Sequence, residues 1–172
     1  ADLEAQARYP VLTVCAGPKS ILNARATLER LETAGVPVVG YRSDSLAGFL
    51  VSTTDLPLPA RVDSPEEAAA VLLAQRELGL SSGVVLSNPV ADGLRSEEFD
   101  ALRRRAEDEL HASGVRGRDT TPFLLAELAR ISDGRTVDVN TRLLEENAAL
   151  AAQVAAAYRR VAGMAHAVGG RA

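Results

Sequence analysis

Residues 11–22 read Val-Leu-Thr-Val-Cys-Ala-Gly-Pro-Lys-Ser-Ile-Leu, an apolar run that meets a Gly-Pro pair and then a lysine. The run Val11–Ala16 predicts a buried strand, and Gly17-Pro18 predicts the turn that ends it. Ser20–Ala34 then has helical spacing, and Val36–Tyr41 predicts a second strand. Strand, helix and strand within roughly 30 residues is the pattern of a βαβ unit.

The remaining chain alternates further predicted helices with one more strand. Ser64-Pro65-Glu66-Glu67 predicts a helix start, with Ser64 as N-cap and Glu67 closing a capping box. Gly83–Ser87 predicts the third strand, whereas residues 42–62 show no sustained period and are expected to form a long loop with at most one short strand. Three more helices are predicted, over Ser96–Ala112, Thr121–Asp133 and Asp138–Ala165.

The predicted fold class is α/β, with a mixed or parallel sheet flanked by helices as part of an α/β/α layered domain. A length of 172 residues fits one domain over 1–172, with residues 158–172 expected to be a frayed tail. Three or four strands are few for five helices, and the chain has no initiator methionine. We therefore expect a partial domain, the carboxyl-terminal half of a larger fold.

Composition excludes several classes of function. Three Phe, three Tyr and no Trp argue against base stacking, and the net charge of -4 with scattered basic residues argues against a nucleic-acid polymer as partner. No apolar run has the length of a membrane span, and the amino-terminal residues do not resemble a signal peptide. The single cysteine, Cys15, has no partner for a disulfide, which is typical of the reducing cytoplasm.

Lys19 is the only lysine in the chain, and it directly follows a predicted strand. Ligands of open α/β folds gather at the carboxyl ends of strands. A lysine at this place could pair with a phosphate near a helix N-terminus, or its neutral amine could attack a carbonyl and form a Schiff base. The simplest alternative is an exposed surface lysine, but arginine supplies every other basic side chain here and cannot act as a nucleophile.

Other candidate residues are ambiguous from the residues alone. Cys15 could be a thiol nucleophile, although its apolar neighbours favour an inert core cysteine. Asn140 and Asn147 are seven residues apart on the last predicted helix, so they project from nearly the same face. They either cap or solvate the helix or donate amide hydrogen bonds to a polar ligand.

Several segments occur in the order and with nearly the spacing of a known family. They are Val14–Leu22, Gly35–Tyr41, Arg61–Ser64, Asn88-Pro89, Thr121–Leu125 and the surroundings of Asn140 and Asn147. Together they resemble the pseudouridine-5'-phosphate glycosidases, also described as indigoidine synthase A-like proteins. The resemblance extends to about residue 157 and so covers most of the chain.

This resemblance implies a reaction and a set of site residues. The family reversibly cleaves the C–C glycosidic bond of pseudouridine 5'-phosphate, which gives uracil and ribose 5-phosphate. Lys19 matches the family's nucleophile, which forms an imine with C1 of the ring-opened ribose, an electron sink that makes cleavage of a C–C bond feasible. Ala1, Asp2, Asn140 and Asn147 match positions that contact substrate, although Glu146-Asn147 stands where the family has paired asparagines.

The resemblance also implies parts that lie upstream of Ala1. These are a glutamate that acts as general acid, a second lysine that contacts substrate, and the aspartate that binds Mn²⁺. We therefore expect an amino-terminal half supplied in cis or in trans, a cytoplasmic homotrimer, and little or no turnover by the 172 residues alone. The alternatives are a truncated, non-catalytic subunit or relic that retains sugar-phosphate binding, and an unrelated lysine-dependent aldolase or lyase.

Overall fold

A computed structural model describes residues 2–20 and 22–169, with side chains described as far as residue 164. Six strands and six α-helices lie in this part of the chain. In chain order they are α1 (Asp2–Arg8), β1 (Leu12–Cys15), α2 (Ala24–Thr33), β2 (Val38–Tyr41), β3 (Ser45–Gly48), β4 (Val51–Pro57), β5 (Ala60–Val62), α3 (Pro65–Glu77), β6 (Val84–Ser87), α4 (Ser96–Ser113), α5 (Thr120–Ile131) and α6 (Arg135–Gly169).

The main sheet has four parallel strands in the order β1-β6-β2-β5. The predicted α/β class is thus confirmed, and the sheet itself is purely parallel. All four strands end at the same edge, where Cys15 of β1 pairs in register with Ser87 of β6. The segments that follow β1 and β6 are therefore neighbours at this edge, which we call the carboxyl edge.

Helices cover both faces of the sheet, as the alternation of side chains along β6 requires. Val84 and Leu86 pack in a cluster with side chains of α3 and the second half of α6. Val85, which points to the other face, packs with residues of α2, β2 and the hairpin formed by β3 and β4. The predicted α/β/α layering is present, with β6 buried along its whole length.

A third core lies beyond the carboxyl edge and involves the hairpin turn, α4, α5 and the first half of α6. Helix α6 has 35 residues. It contributes Val139 and Leu143 to this carboxyl-edge core and Leu150 and Val154 to the core beneath the sheet. One helix thereby ties the two cores together. No helix in the described ranges has both the length and the apolar character needed to cross a membrane.

The prediction of a long loop over residues 42–62 is wrong, because β3, β4 and β5 occupy most of this segment. Strand β4 reads Val-Ser-Thr-Thr-Asp-Leu-Pro, and only Val51 and Leu56 are buried, so its hydrophobic alternation is weak. β3 and β4 form an antiparallel hairpin with irregular register. Pro57 is the last residue of β4 and Pro59 lies between β4 and β5, so neither proline interrupts a strand.

The predicted start of the second helix at Ser20 is also wrong. Helix α2 begins at Ala24, and the Asn23 side chain caps it by accepting a hydrogen bond from the N–H of Ala26 at 3.0 Å. Ser20 cannot serve as the cap because its hydroxyl is bonded to the hairpin. Three residues therefore separate Lys19 from the cap, so Lys19 does not lie in the first turn of α2.

The other helix predictions hold with smaller changes. Ser64 caps α3 as predicted, but the Glu67 carboxylate accepts from the N–H of Asp63 at 2.6 Å instead of from the cap residue itself. Helix α6 continues past residue 158, where a frayed tail was expected, and Tyr158 accepts a hydrogen bond from Arg76 of α3. This contact corrects the expected start of the tail. Helix α1 was not predicted.

Gly17 allows the hairpin to approach the segment that follows β1. It has a φ of +87°, and a Cβ atom built there would lie 1.9 Å from the carbonyl oxygen of Ala47. We predict that Gly17→Ala lowers the free energy of unfolding by about 3 kcal/mol or more, because it adds a backbone clash to an unfavourable φ. Urea or guanidinium unfolding measures this loss.

Gly35→Ala is the matched control for that prediction. Gly35 also has a positive φ, +68°, but a Cβ atom there would meet nothing within 4 Å. This variant should lose only about 1–2 kcal/mol, the penalty of the left-handed conformation alone. Equal losses in the two variants would show that the close approach at Ala47 does not constrain the fold.

Candidate active site

Lys19 lies on the loop that leaves β1 at the carboxyl edge. Its side chain is exposed, and its carbonyl oxygen accepts a hydrogen bond from the N–H of Leu22 at 2.7 Å. Within the described part of the chain, its ammonium group makes no hydrogen bond or ion pair. A lysine without a carboxylate partner is free to engage a ligand.

The hairpin turn holds this loop on both sides of Lys19. The N–H of Phe49 donates to the carbonyl oxygen of Ala16 at 2.7 Å. The Ser20 hydroxyl donates to the carbonyl oxygen of Gly48 at 2.9 Å and accepts from the N–H of Leu50 at 3.2 Å. Lys19 therefore projects from a backbone segment that is fixed at both ends.

Lys19 opens onto a cavity of about 310 Å³ between the hairpin turn, α5 and the start of α6. Ligand pockets in proteins begin at about this size. Its polar lining is Lys19, Thr136 and Asn140, and its apolar lining is Phe49, Leu50, Leu125, Leu128 and Val137. The structure thus brings Lys19 and Asn140 together, which are 121 positions apart (140 − 19) in the sequence.

The two predicted asparagines have different surroundings. The Asn140 side chain is half-buried in the cavity lining and has no hydrogen-bond partner among the described residues. The Asn147 Oδ1 atom instead accepts from the Nδ2 of Asn88 at 3.0 Å, and the N–H of Asn88 donates to the carbonyl oxygen of Cys15 at 2.8 Å. Asn147 therefore braces the loop after β6, and its substrate contact stays a prediction.

Two further α6 side chains hold the same loop. The Glu146 carboxylate accepts from the N–H of Ala91 at 3.1 Å, and Arg142 donates to the Ala91 carbonyl oxygen at 3.2 Å. The loop also meets the hairpin, because the hydroxyl of Ser52 donates to the carbonyl oxygen of Val90 at 3.0 Å. Helix α6, this loop and the hairpin consequently form one hydrogen-bonded frame around the cavity.

Asp2 and Cys15 are not part of this cavity lining. Asp2 is exposed at the first position of α1, and Ala1 lies outside the described residues. Their expected contacts with substrate stay predictions. Burial raises the pKa of the Cys15 thiol above its ordinary value, an effect that outweighs the opposing backbone hydrogen bond at Gly17. A thiol kept protonated in this way agrees with the interpretation of Cys15 as an inert core residue.

The described residues do not fit the Mn²⁺ that the family resemblance implies. Over the searched ranges, no three His, Cys, Asp or Glu side chains form a group that could hold a metal ion.

A larger cavity of about 670 Å³ lies at the opposite edge of the sheet, where Val36, Pro37, Leu58 and Leu80 precede strands. Its one charged lining residue is Glu32, and neither a lysine nor a cysteine lines this larger cavity.

Comparison with known proteins identifies the family. A family model described as indigoidine synthase A like protein matches residues 1–157. The chain belongs to this family. The indigoidine synthase A-like chain is 53% identical over 157 residues to a pseudouridine-5'-phosphate glycosidase of Thermus thermophilus, covering 91% of this chain and 56% of the relative. Another glycosidase of that name, from Methylobacterium nodulans, is 46% identical over 92% of this chain and 48% of its own length.

Solved structures of similar proteins share the fold. The crystal structure of the prealnumycin C-glycosynthase AlnA in complex with ribulose 5-phosphate superposes with a TM-score of 0.87 at 33% identity, over 95% of this chain and 54% of AlnA. An indigoidine synthase A-like protein from Thermotoga maritima gives 0.79 at 33% identity, over 90% of this chain and 51% of its own. The indigoidine synthase A-like chain spans about half the length of the curated relatives it matches.

Sequence reasoning missed several residues that build the site of this indigoidine synthase A-like chain. Ser20 and Asn88 come soon after strands that end at the carboxyl edge, and this position in the sequence could have identified both as site residues. Thr136 lies four residues before Asn140, on the same helix face, so helical periodicity could have identified it. No sequence signal indicates that Phe49 lines the cavity.

The different contacts of the two asparagines predict unequal effects on stability. Asn147→Ala removes the acceptor for the buried Asn88 amide and should lower the free energy of unfolding by about 1–3 kcal/mol. Asn140→Ala breaks no such bond and should change it by less than about 0.5 kcal/mol. Denaturant unfolding of both variants measures this contrast, which fails if Asn140→Ala is the more destabilised protein.

The raised pKa of Cys15 predicts slow alkylation and a defined pH dependence. Iodoacetamide should modify the native thiol far more slowly than the unfolded one, because burial disfavours the thiolate. A folded pKa above the unfolded value of about 8.5 means that stability falls as pH rises above that value. Cys15→Ala should lose this alkaline decrease, whereas an unchanged pH profile in the variant would assign the decrease to other groups.

Proposed function

We propose that this chain supplies the nucleophile and part of the substrate site of a pseudouridine-5'-phosphate glycosidase. The enzyme would reversibly cleave the C–C glycosidic bond of pseudouridine 5'-phosphate to uracil and ribose 5-phosphate through a lysine–ribose imine. The observation that supports this most is the placement of Lys19 and Asn140 in one cavity at the carboxyl edge of the sheet. The 53% identity to a protein of that name supports the choice of substrate.

Lys19 is proposed to act as the covalent partner of the sugar. In the synthetic direction its amine condenses with the aldehyde carbon, C1, of open-chain ribose 5-phosphate and releases water. Carbon C5 of uracil then adds to the imine carbon, and the C=N electron pair moves to nitrogen while C5 gives up its proton. The hydroxyl oxygen O4 of the sugar then bonds to C1 while the C1–N bond to Lys19 breaks, and the hydroxyl proton passes to the amine, so the furanose ring closes and Lys19 is freed. Cleavage is the reverse of this sequence. Asn140 and Thr136 offer the amide and hydroxyl groups that would orient the bound sugar or base.

The cavity lining itself offers no group for the proton transfers, since it contains no Asp, Glu or His. On the family's pattern, we propose that a glutamate, a second lysine and the Mn²⁺-binding aspartate come from an amino-terminal half, in cis or in trans. Ala1, Asp2 and Asn147 would add contacts to substrate, and the enzyme would be a cytoplasmic homotrimer. General acid–base assistance alone contributes about 10²- to 10⁴-fold, so these 172 residues by themselves should show little turnover.

A non-catalytic subunit that binds sugar phosphate is the alternative function. The curated relatives that match over more than nine-tenths of the chain carry the name of the glycosidase, so this alternative is less well supported. Imine formation would not separate the two functions, because it requires only Lys19 and the sugar. Uracil release from pseudouridine 5'-phosphate once the amino-terminal half is present separates them.

Borohydride trapping tests the proposed role of Lys19 directly. Incubation with ribose 5-phosphate and sodium borohydride should reduce the imine to a stable secondary amine at Lys19. Because this is the only lysine, the α-amino group is the only other primary amine, and peptide mapping by mass spectrometry distinguishes the two. The chain with a blocked α-amino group should be labelled once, and excess ribose 5-phosphate should saturate the labelling.

Lys19→Arg is the matched control, because it keeps the positive charge and removes the nucleophilic amine. This variant should fold normally, bind ribose 5-phosphate and give no reduced adduct. Wild-type protein that remains unlabelled, even with the amino-terminal half added, would refute the role of Lys19. Uracil release by Lys19→Arg in the reconstituted enzyme would refute it equally.

A further inference from the structure

Phe49 occupies a backbone conformation that its residue type disfavours. Its φ is +66°, in the left-handed region where a bulky side chain is strained and glycine is not. The neighbouring turn residue Gly48 is a glycine for a different reason, since a Cβ atom there would lie 2.3 Å from a methyl group of Val51. The turn thus carries a phenylalanine where local conformation alone would favour glycine or asparagine.

The surrounding contacts fix this strained residue relative to Lys19. The N–H of Phe49 is bonded to Ala16, and its neighbours Gly48 and Leu50 are both bonded to the Ser20 hydroxyl. Strained backbone persists only where its surroundings over-determine it, and such positions cluster at functional sites. The aromatic ring and the lysine therefore belong to one rigid unit, joined by hydrogen bonds on both sides of Lys19.

The ring of Phe49 forms part of the apolar wall of the Lys19 cavity and is its one aromatic component. The polar groups on the lining are the amine of Lys19, the hydroxyl of Thr136 and the free amide of Asn140. The cavity consequently offers an apolar face together with a hydrogen-bonding amide. A planar heteroaromatic base has this same division, with apolar faces and a polar edge.

We propose that Phe49 is a specificity-determining residue whose ring packs against the face of the pyrimidine base, while the Asn140 amide meets its polar edge. This inference rests on the proposed function, because it takes the carbon bonded to Lys19 as C1 of the sugar. The base is attached to C1, so it must lie within one bond of the carbon that Lys19 reaches. The strained backbone is retained because it places an aromatic ring at that position.

The test uses the chain whose Lys19 already carries the reduced ribose 5-phosphate adduct. Calorimetric titration compares uracil with 5,6-dihydrouracil, which has the same polar edge but a puckered, non-aromatic ring. The wild-type adduct should bind uracil roughly two- to tenfold more tightly than dihydrouracil, the range expected for an aromatic pair beyond its buried area. Phe49→Leu should reduce this ratio to about one, and Phe49→Tyr should keep it.

Phe123→Leu is the matched control, because it makes the same substitution on α5 outside the cavity lining and should leave the ratio unchanged. A second measurement needs no variant: ring current from Phe49 should shift the H5 and H6 resonances of bound uracil upfield in the wild-type adduct. A ratio retained in Phe49→Leu, no upfield shift, or no uracil binding to the adduct overturns the inference. If the proposed function fails, Lys19 forms no adduct with ribose 5-phosphate. That result is distinct from an adduct that forms but shows no preference for uracil.

Discussion

The β3–β4 hairpin approaches the loop after β1 so closely that only a residue without a side chain fits between them. The Gly17 Cα lies against the carbonyl group of Ala47, where any Cβ atom would overlap that oxygen. This contact puts the hairpin turn within hydrogen-bonding reach of Ala16 and Ser20. The position of Lys19 and one wall of its cavity both depend on this approach, because Ala16 and Ser20, on either side of Lys19, are hydrogen-bonded to the hairpin turn.

Further hydrogen bonds join the hairpin to the central strand β6, and the loop after β6 to helix α6. The buried hydroxyl of Ser87, at the end of β6, accepts a hydrogen bond from the N–H of Ala47 at 2.9 Å, so the hairpin is also fastened to the central strand. The next residue, Asn88, is bonded to Asn147 of α6. Since α6 also carries Asn140, the helix that lines the cavity is held to the same strand ends that position Lys19. The site is therefore held together by side-chain and backbone hydrogen bonds between segments that lie outside any single helix or strand.

The sequence predicted the parts of the fold that depend on local signals. Strands β1, β2 and β6 are apolar runs, and α3 has a Ser-Pro start whose cap forms as expected. The hairpin could not be predicted, because β4 is mostly polar and its two buried residues pack in different cores: Val51 with helices far along the chain, and Leu56 with α2 and β2. The prediction that Lys19 and Asn140 share a site came from the family resemblance, and their shared cavity agrees with it. The bond from Asn88 to Asn147 spans 59 residues, and the positive φ of Phe49 results from bonds on either side of Lys19, so neither leaves a local pattern.

The candidate site is defined by the positions of its groups more than by their charge. Lys19 is exposed and has no carboxylate partner in the described chain, and no acidic side chain or histidine lines the cavity. An unpaired amine at the mouth of a mostly apolar pocket can capture a carbonyl carbon, and fixed neighbours can orient what is attached to that carbon. Imine formation joins the amine to the carbonyl carbon and releases water, whereas breaking a bond from carbon to an electron-rich ring also needs a proton donor. In the proposed reaction the described residues would therefore capture and orient the sugar, and the proton would come from a group beyond this lining.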